Sequence, residues 1–227
     1  MSESLTKSRA GQRWQRPLAM TLLCGALLAT LSGCVEMMVG SAVVGTVAAS
    51  DRRTFGAQTE DQAIVVKGEI KVHNLVGDAG HVNINSFNRR ALLTGEVRDQ
   101  AMKEQVEREV RGIEGVASTV NELEISGLSS FTSRSNDTLI TTKVKASLVD
   151  QKDISANTFK VVTERGAVFL MGRVTQREGT IAAEVARGVS GVQKVVKVFE
   201  YISEEEWKSY QPKPTPAQAA QGGQQGQ

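Results

Sequence analysis

The sequence predicts an α+β fold made of two tandem α-β-β-α-β units, each a small three-stranded sheet packed on two helices. Three observations carry this. The chain repeats itself: residues 91–97 (Ala-Leu-Leu-Thr-Gly-Glu-Val) align with 168–174 (Val-Phe-Leu-Met-Gly-Arg-Val) at an offset of 77, and residues 111–116 align with 187–192 at an offset of 76. Within each copy, apolar residues alternate in some segments and recur every three or four residues in others. No proline occurs between residues 18 and 211, as suits compact elements joined by short glycine-bearing turns.

The elements follow in order. In the first copy, residues 61–126, a weak helix is expected at about 61–76 and strands at about 81–88 and 91–98. A helix at about 99–111 carries Met102, Val106 and Val110 on one face, and a strand follows at about 118–125. Residues 127–135, rich in Ser, read as a linker. In the second copy, residues 136–203, Asn136 or Asp137 caps a helix to about Val149 whose inner face is Ile140, Val144 and Leu148. Residues 159–163 alternate as a strand, Glu164-Arg165-Gly166 turns, and 167–174 return as its partner. A stripe of Ile181, Ala182, Val185, Ala186 and Val189 marks the next helix, and 195–202 is the last strand.

The ends of the chain read differently. Lys7, Arg9, Arg13 and Arg16 precede an apolar run from Leu18 to Leu31, and small residues then lead to Cys34. That is the pattern of a signal peptide, residues 1–33, and the run is short of the roughly 20 residues a membrane-spanning helix needs. Leu31-Ser32-Gly33-Cys34 resembles a bacterial lipobox, which implies cleavage before Cys34 and a diacylglycerol with an N-acyl chain on its sulfur. Val35, rather than aspartate, follows it, which by the sorting rules for such proteins implies the outer membrane. Residues 34–60 read as a lipidated tether, because Gly40 and Gly45 weaken any helix; the other reading is a segment lying on lipid headgroups. Residues 204–227, with Pro212, Pro214 and Pro216 among Gln, Ala and Gly, read as a disordered tail. Glu204-Glu205-Glu206 and Trp207 are either its frayed beginning or a partner-binding element.

Composition excludes several functions. The full chain has 27 basic and 25 acidic residues, but four of the cations and one acid, Glu3, leave with the signal peptide, so the net charge falls from +2 to −1. A near-neutral chain has no general attraction for nucleic acid. Cys24 leaves as well, so Cys34 is the sole remaining cysteine and no intramolecular disulfide forms. His73 and His81 are the only histidines and have no partners at metal-ligand spacing, so no metal site and no catalytic residues are expected. The glycines at 95, 115, 172 and 191 match no phosphate loop and are expected to serve turns and close helix–sheet approach.

The repeated blocks resemble the BON domain family. Its hallmarks are an apolar strand ending in Gly-x-Val (here Gly95-Glu96-Val97 and Gly172-Arg173-Val174), then a helix, then Gly-Val-x-x-Val. Gly115-Val116 with Val120, and Gly191-Val192 with Val195 and Val196, supply the last. The resemblance implies a non-enzymatic outer-membrane lipoprotein that faces the periplasm, supports envelope integrity and gathers at division sites. It also implies that the first helix of the second unit binds anionic phospholipid. On that helix Leu139, Thr142, Ala146 and Val149, bordered by Lys143 and Lys145, form the expected contact, with Leu139 where a bulky aromatic would be expected. The competing reading packs Leu139 and Val149 on the first unit. At the level of function, the alternative is a scaffold or periplasmic chaperone that engages envelope-assembly or cell-wall proteins.

Overall fold

A computed structural model describes residues 51–210 of the chain. Cys34, the expected signal peptide, the first part of the expected tether and the proline-rich end lie outside the described residues.

The first repeat opens with α1 (Phe55–Val76), and the hydroxyl of Thr54 caps it by accepting from the Ala57 amide at 3.1 Å. Ile64, Gly68, Val72 and Val76 recur every four residues on its inner face. β1 (His81–Phe87) and β2 (Arg90–Val97) form an antiparallel hairpin, with His81 opposite Glu96 and Phe87 opposite Arg90. α2 (Gln100–Arg111), capped by Asp99, then crosses to β3 (Ser118–Asn121) and β4 (Glu124–Ile125), which both pair parallel to β2.

The second repeat has the same order. α3 (Phe131–Val149) is followed by the hairpin of β5 (Lys160–Glu164) and β6 (Ala167–Val174). α4 (Gln176–Arg187) starts with a full capping box between Thr175 and Glu178. β7 (Lys194–Tyr201) pairs parallel to β6 over its whole length, and α5 (Glu204–Ser209) ends the fold.

The structure moves four expected boundaries. The tether was expected to reach residue 60, but α1 begins at Phe55; the helix is invisible to periodicity there because Phe55 is exposed and no apolar face starts before Ile64. The linker 127–135 and a cap at Asn136 or Asp137 give way to a cap at Ser130, whose hydroxyl accepts from Ser133 N–H at 3.1 Å. The single strand expected at 118–125 is broken at Glu122-Leu123, where Leu123 turns into the core, so the first sheet has four strands rather than three. The tail expected from residue 204 begins with α5, capped by Ser203.

β2 and β6 bury both of their faces, and the reason is the packing of the repeats on each other. Ala91, Leu93 and Val97 point to α1 and α2, and Val168, Leu170 and Val174 point to α3 and α4. The alternate residues Leu92, Phe169 and Met171 meet Phe87 and Val198 in a third cluster between the two sheets. The described fold is therefore two sheets face to face with helices on both outer layers. Polar bonds rim the junction: Asn83 donates to Glu164 at 2.7 Å, Asn88 donates to Glu200 at 2.6 Å, and Arg90 donates to the Phe199 carbonyl at 2.9 Å. Arg165 lies 3.5 Å from Glu96 and 3.3 Å from Glu124.

One buried carboxylate joins both ends of the described chain. Glu178 accepts two bonds from Arg52 at 2.6 and 2.7 Å, one from the indole of Trp207 at 3.0 Å and one from the Thr175 amide at 3.0 Å. The segment that precedes α1 is thus fixed to the second repeat, not only to the helix it leads into.

Candidate functional site

α3 is held by its inner face. Ile140, Val144 and Leu148 enter the core of the second repeat, and Thr141 donates to Thr163 at 2.7 Å. Asp137, also turned inward, accepts from the amides of Arg165 and Gly166 at 2.8 Å each. The opposite face is open. Phe131, Ser135, Leu139, Thr142, Ala146 and Val149 are all exposed, Phe131 at 79%, Leu139 at 59% and Val149 at 69%. Their spacing of three and four stacks them as one uncharged stripe along successive turns.

Cations border the stripe. Lys143 lies on one side, Arg134 and Lys145 on the other, and none of the three has an ion pair among the described residues. Asp137 faces the core; at the C-terminal end of the helix exposed Asp150 lies near Lys143, so the side of Arg134 and Lys145 is the more positive one. The five stripe or border residues expected besides Leu139, namely Thr142, Lys143, Lys145, Ala146 and Val149, are thus brought to one exposed surface. Leu139 and Val149 do not pack on the first repeat. Phe131, Ser135 and Arg134 were missed, because the helix was expected to start after them; the signal for them is Ser130, a residue type that favours helix N-termini and whose hydroxyl takes the Ser133 amide.

α1 occupies the equivalent place in the first repeat but has a different surface. Phe55, Val66 and Ile70 are exposed there. Its lysines are compensated, Lys67 by Glu114 at 3.4 Å and Lys71 by Glu109 at 3.5 Å, and Glu60 and Glu69 add negative charge. Only α3 combines an apolar stripe with unpaired cations.

The four glycines sit where side chains do not fit. A Cβ on Gly95, which has φ +112°, would come within 2.0 Å of the His81 carbonyl oxygen. Its counterpart Gly172 has no positive φ, but a Cβ there would lie 2.7 Å from the Thr158 carbonyl oxygen. Gly115 lies against the Glu60 side chain, and Gly191 lets α3 approach through Ile140.

Comparison with known proteins gives the class. The BON domain family matches residues 58–127 and 136–203, and the chain belongs to that family. It is 39% identical over 189 residues to the outer membrane lipoprotein DolP of Haemophilus influenzae, covering 81% of this chain and 95% of that one. It is 34% identical to a 21 kDa hemolysin of Actinobacillus pleuropneumoniae, over 67% of this chain and 79% of that one. It is 28% identical to the osmotically inducible protein Y of Escherichia coli, over 64% of this chain and 75% of that one. The chain is an outer-membrane lipoprotein with two BON domains. Among the described residues no helix is long and apolar enough to cross a membrane.

Proposed function

We propose that this lipoprotein faces the periplasm and uses α3 as a second, weaker membrane contact that binds anionic phospholipid, while Cys34 carries the lipid anchor. The observation that carries this is the exposed uncharged stripe of α3 bordered by unpaired Arg134, Lys143 and Lys145. A helix of this kind lies in the plane of the interface, its apolar side chains among the acyl chains and its cations on phosphates. Each cation near an anionic surface contributes about 1 kcal/mol. Tethering raises the local concentration of α3 at the bilayer, so a modest intrinsic affinity suffices.

The role is non-catalytic: support of outer-membrane integrity, concentrated at division sites, as the BON resemblance implies. A protein-scaffold reading rests on α1, whose exposed Phe55, Val66 and Ile70 carry no net positive charge and suit a protein more than an anionic membrane.

Residues 34–227 carrying Cys34→Ser, freed of the anchor, should co-sediment with vesicles containing phosphatidylglycerol. Leu139→Glu should abolish that binding while leaving the circular dichroism unchanged, and in cells should raise sensitivity to detergent. Unchanged co-sedimentation of Leu139→Glu removes α3 from the reading. Absence of vesicle binding by the parent chain, together with a specific envelope protein in a pull-down, selects the scaffold instead.

A further inference from the structure

A cavity of about 230 Å³ opens beside α3 where the two BON domains meet. Arg134, Asp137, Thr138 and Thr141 line it from α3; Arg134, Thr138 and Thr141 form the row next to the exposed stripe, and the Asp137 carboxylate is taken up by the amides of Arg165 and Gly166. His81 and Asn83 line it from β1, and Glu164 lines it from the end of β5.

The cavity contains two charged groups that have no ion pair among the described residues. Glu164 is 8% exposed; one carboxylate oxygen accepts from Asn83 at 2.7 Å, and the other accepts no hydrogen bond among the described residues. Burial holds this carboxyl above the usual carboxylate range, Asn83 and His81 oppose the shift, and the nearby carboxylates of Glu96 and Asp137 add to it. That is the condition of a buried acid short of positive charge. Arg134, at the same cavity, is a guanidinium with no carboxylate partner among the described residues.

We propose that this cavity takes the phosphoethanolamine headgroup of a membrane phospholipid, its ammonium on Glu164 and its phosphate on Arg134 and on the Thr138 hydroxyl, which turns to it from the Arg134 carbonyl that it otherwise bonds at 3.1 Å. This rests on α3 being the membrane contact, because the cavity opens along the edge of the stripe that would touch the bilayer. The chemistry selects this headgroup over others. A glycerol headgroup brings no cation to Glu164. A choline headgroup brings a cation without N–H donors, so the free carboxylate oxygen stays unbonded. A serine headgroup brings a further carboxylate beside Glu164, Glu96 and Asp137. Both domains line the cavity, so the site exists only in the paired molecule, and one lipid would bridge the junction.

The test holds the anionic lipid constant and exchanges the zwitterionic one. Residues 34–227 with Cys34→Ser are titrated with vesicles of phosphatidylglycerol in phosphatidylcholine, and with vesicles holding the same fraction of phosphatidylglycerol in phosphatidylethanolamine. The second should bind about tenfold tighter, the worth of one or two charge-assisted hydrogen bonds. Glu164→Gln, which keeps an acceptor for Asn83, and Thr138→Val should each remove that gain and leave binding to the choline vesicles as it was. Phosphatidylethanolamine also loosens headgroup packing for any inserting helix, and an equal gain in the parent and both variants overturns the proposal. Free phosphoethanolamine that displaces the chain at the concentration of the lipid overturns the membrane source. Equal binding to both vesicle types overturns the cavity alone, whereas no binding to either overturns the membrane reading as well.

Discussion

Asp61 and Asp137 perform the same task in the two repeats, and neither announces it in sequence. Each sits one turn before the inner face of its helix and reaches the hairpin turn behind it. Asp61 accepts from the amides of Asn88 and Arg89 at 2.8 Å each, from Ser86 at 2.6 Å and from Arg53 at 2.9 Å. Asp137 accepts from the amides of Arg165 and Gly166. Asn88, Arg89 and Arg165 have positive φ, an uncommon state outside glycine, and the carboxylate gives their inward amides a partner there. Sequence reasoning offered Asn136 or Asp137 as a cap because either residue before an apolar stripe signals a helix start. Asp137 lies inside the helix because its acceptor is used across the fold instead of along it. Asp137→Ala leaves two inward amides without partners, and each bond to a charged acceptor contributes about 1.5 to 3 kcal/mol. We expect a loss of about 2 to 4 kcal/mol in urea unfolding, with Asp137→Asn intermediate because an amide oxygen still accepts. A loss under half a kilocalorie per mole would mean that water serves the turn equally well.

At the scale of elements, α1 and α3 share a position and differ in chemistry. Both begin with an exposed phenylalanine, Phe55 at 84% and Phe131 at 79%, and both turn apolar residues outward. They lie on opposite outer layers, so one membrane surface does not cover both. If charge and stripe act together, only Phe131 inserts. Phe131→Ala should weaken vesicle binding by about fivefold, the value of burying part of an aromatic side chain. Phe55→Ala should leave it unchanged. Equal effects of the two substitutions would show that exposed aromatics bind the bilayer without regard to the cations. The helices and strands of both repeats were legible because Met102, Val106 and Val110, or Ile140, Val144 and Leu148, bury one face at helical spacing. The first turns of α1 and α3 were not, because an exposed phenylalanine among polar residues has no apolar face to show. The aromatic expected at Leu139 was looked for in place; Phe131 lies two turns earlier on the same stripe.

The whole molecule depends on contacts between distant parts of the chain, and these were the least legible. Leu92, Phe169 and Met171 read as strand residues, but alternation says only that a strand has two faces, not that a second sheet covers the outer one. The tie among Arg52, Glu178 and Trp207 was likewise hidden, since it joins segments that composition assigned to a tether and a tail. Glu178 makes that tie sensitive to acid. Burial opposes its charge, but the bonds from Arg52, the Thr175 amide and Trp207 outweigh it and hold its carboxyl below the ordinary value of 4.5. A carboxyl depressed in the folded state stabilises the fold fully above its unfolded pKa and loses that contribution as pH falls through the folded one. Trp207 is the only tryptophan in residues 34–227, so in that fragment its emission reports directly on the tie. In residues 34–227 with Cys34→Ser, quenching of Trp207 by acrylamide should stay low and constant above about pH 5, then rise in more acid solution. Glu178→Gln keeps an acceptor but removes the charge that holds Arg52; its tryptophan should be quenched more at neutral pH and show no such step. Circular dichroism recorded at each pH separates release of α5 from unfolding of the sheets. A step of equal size in both proteins would place the acid-sensitive group elsewhere, with Glu206, which pairs with Arg173 at 2.7 Å, the next carboxylate to replace.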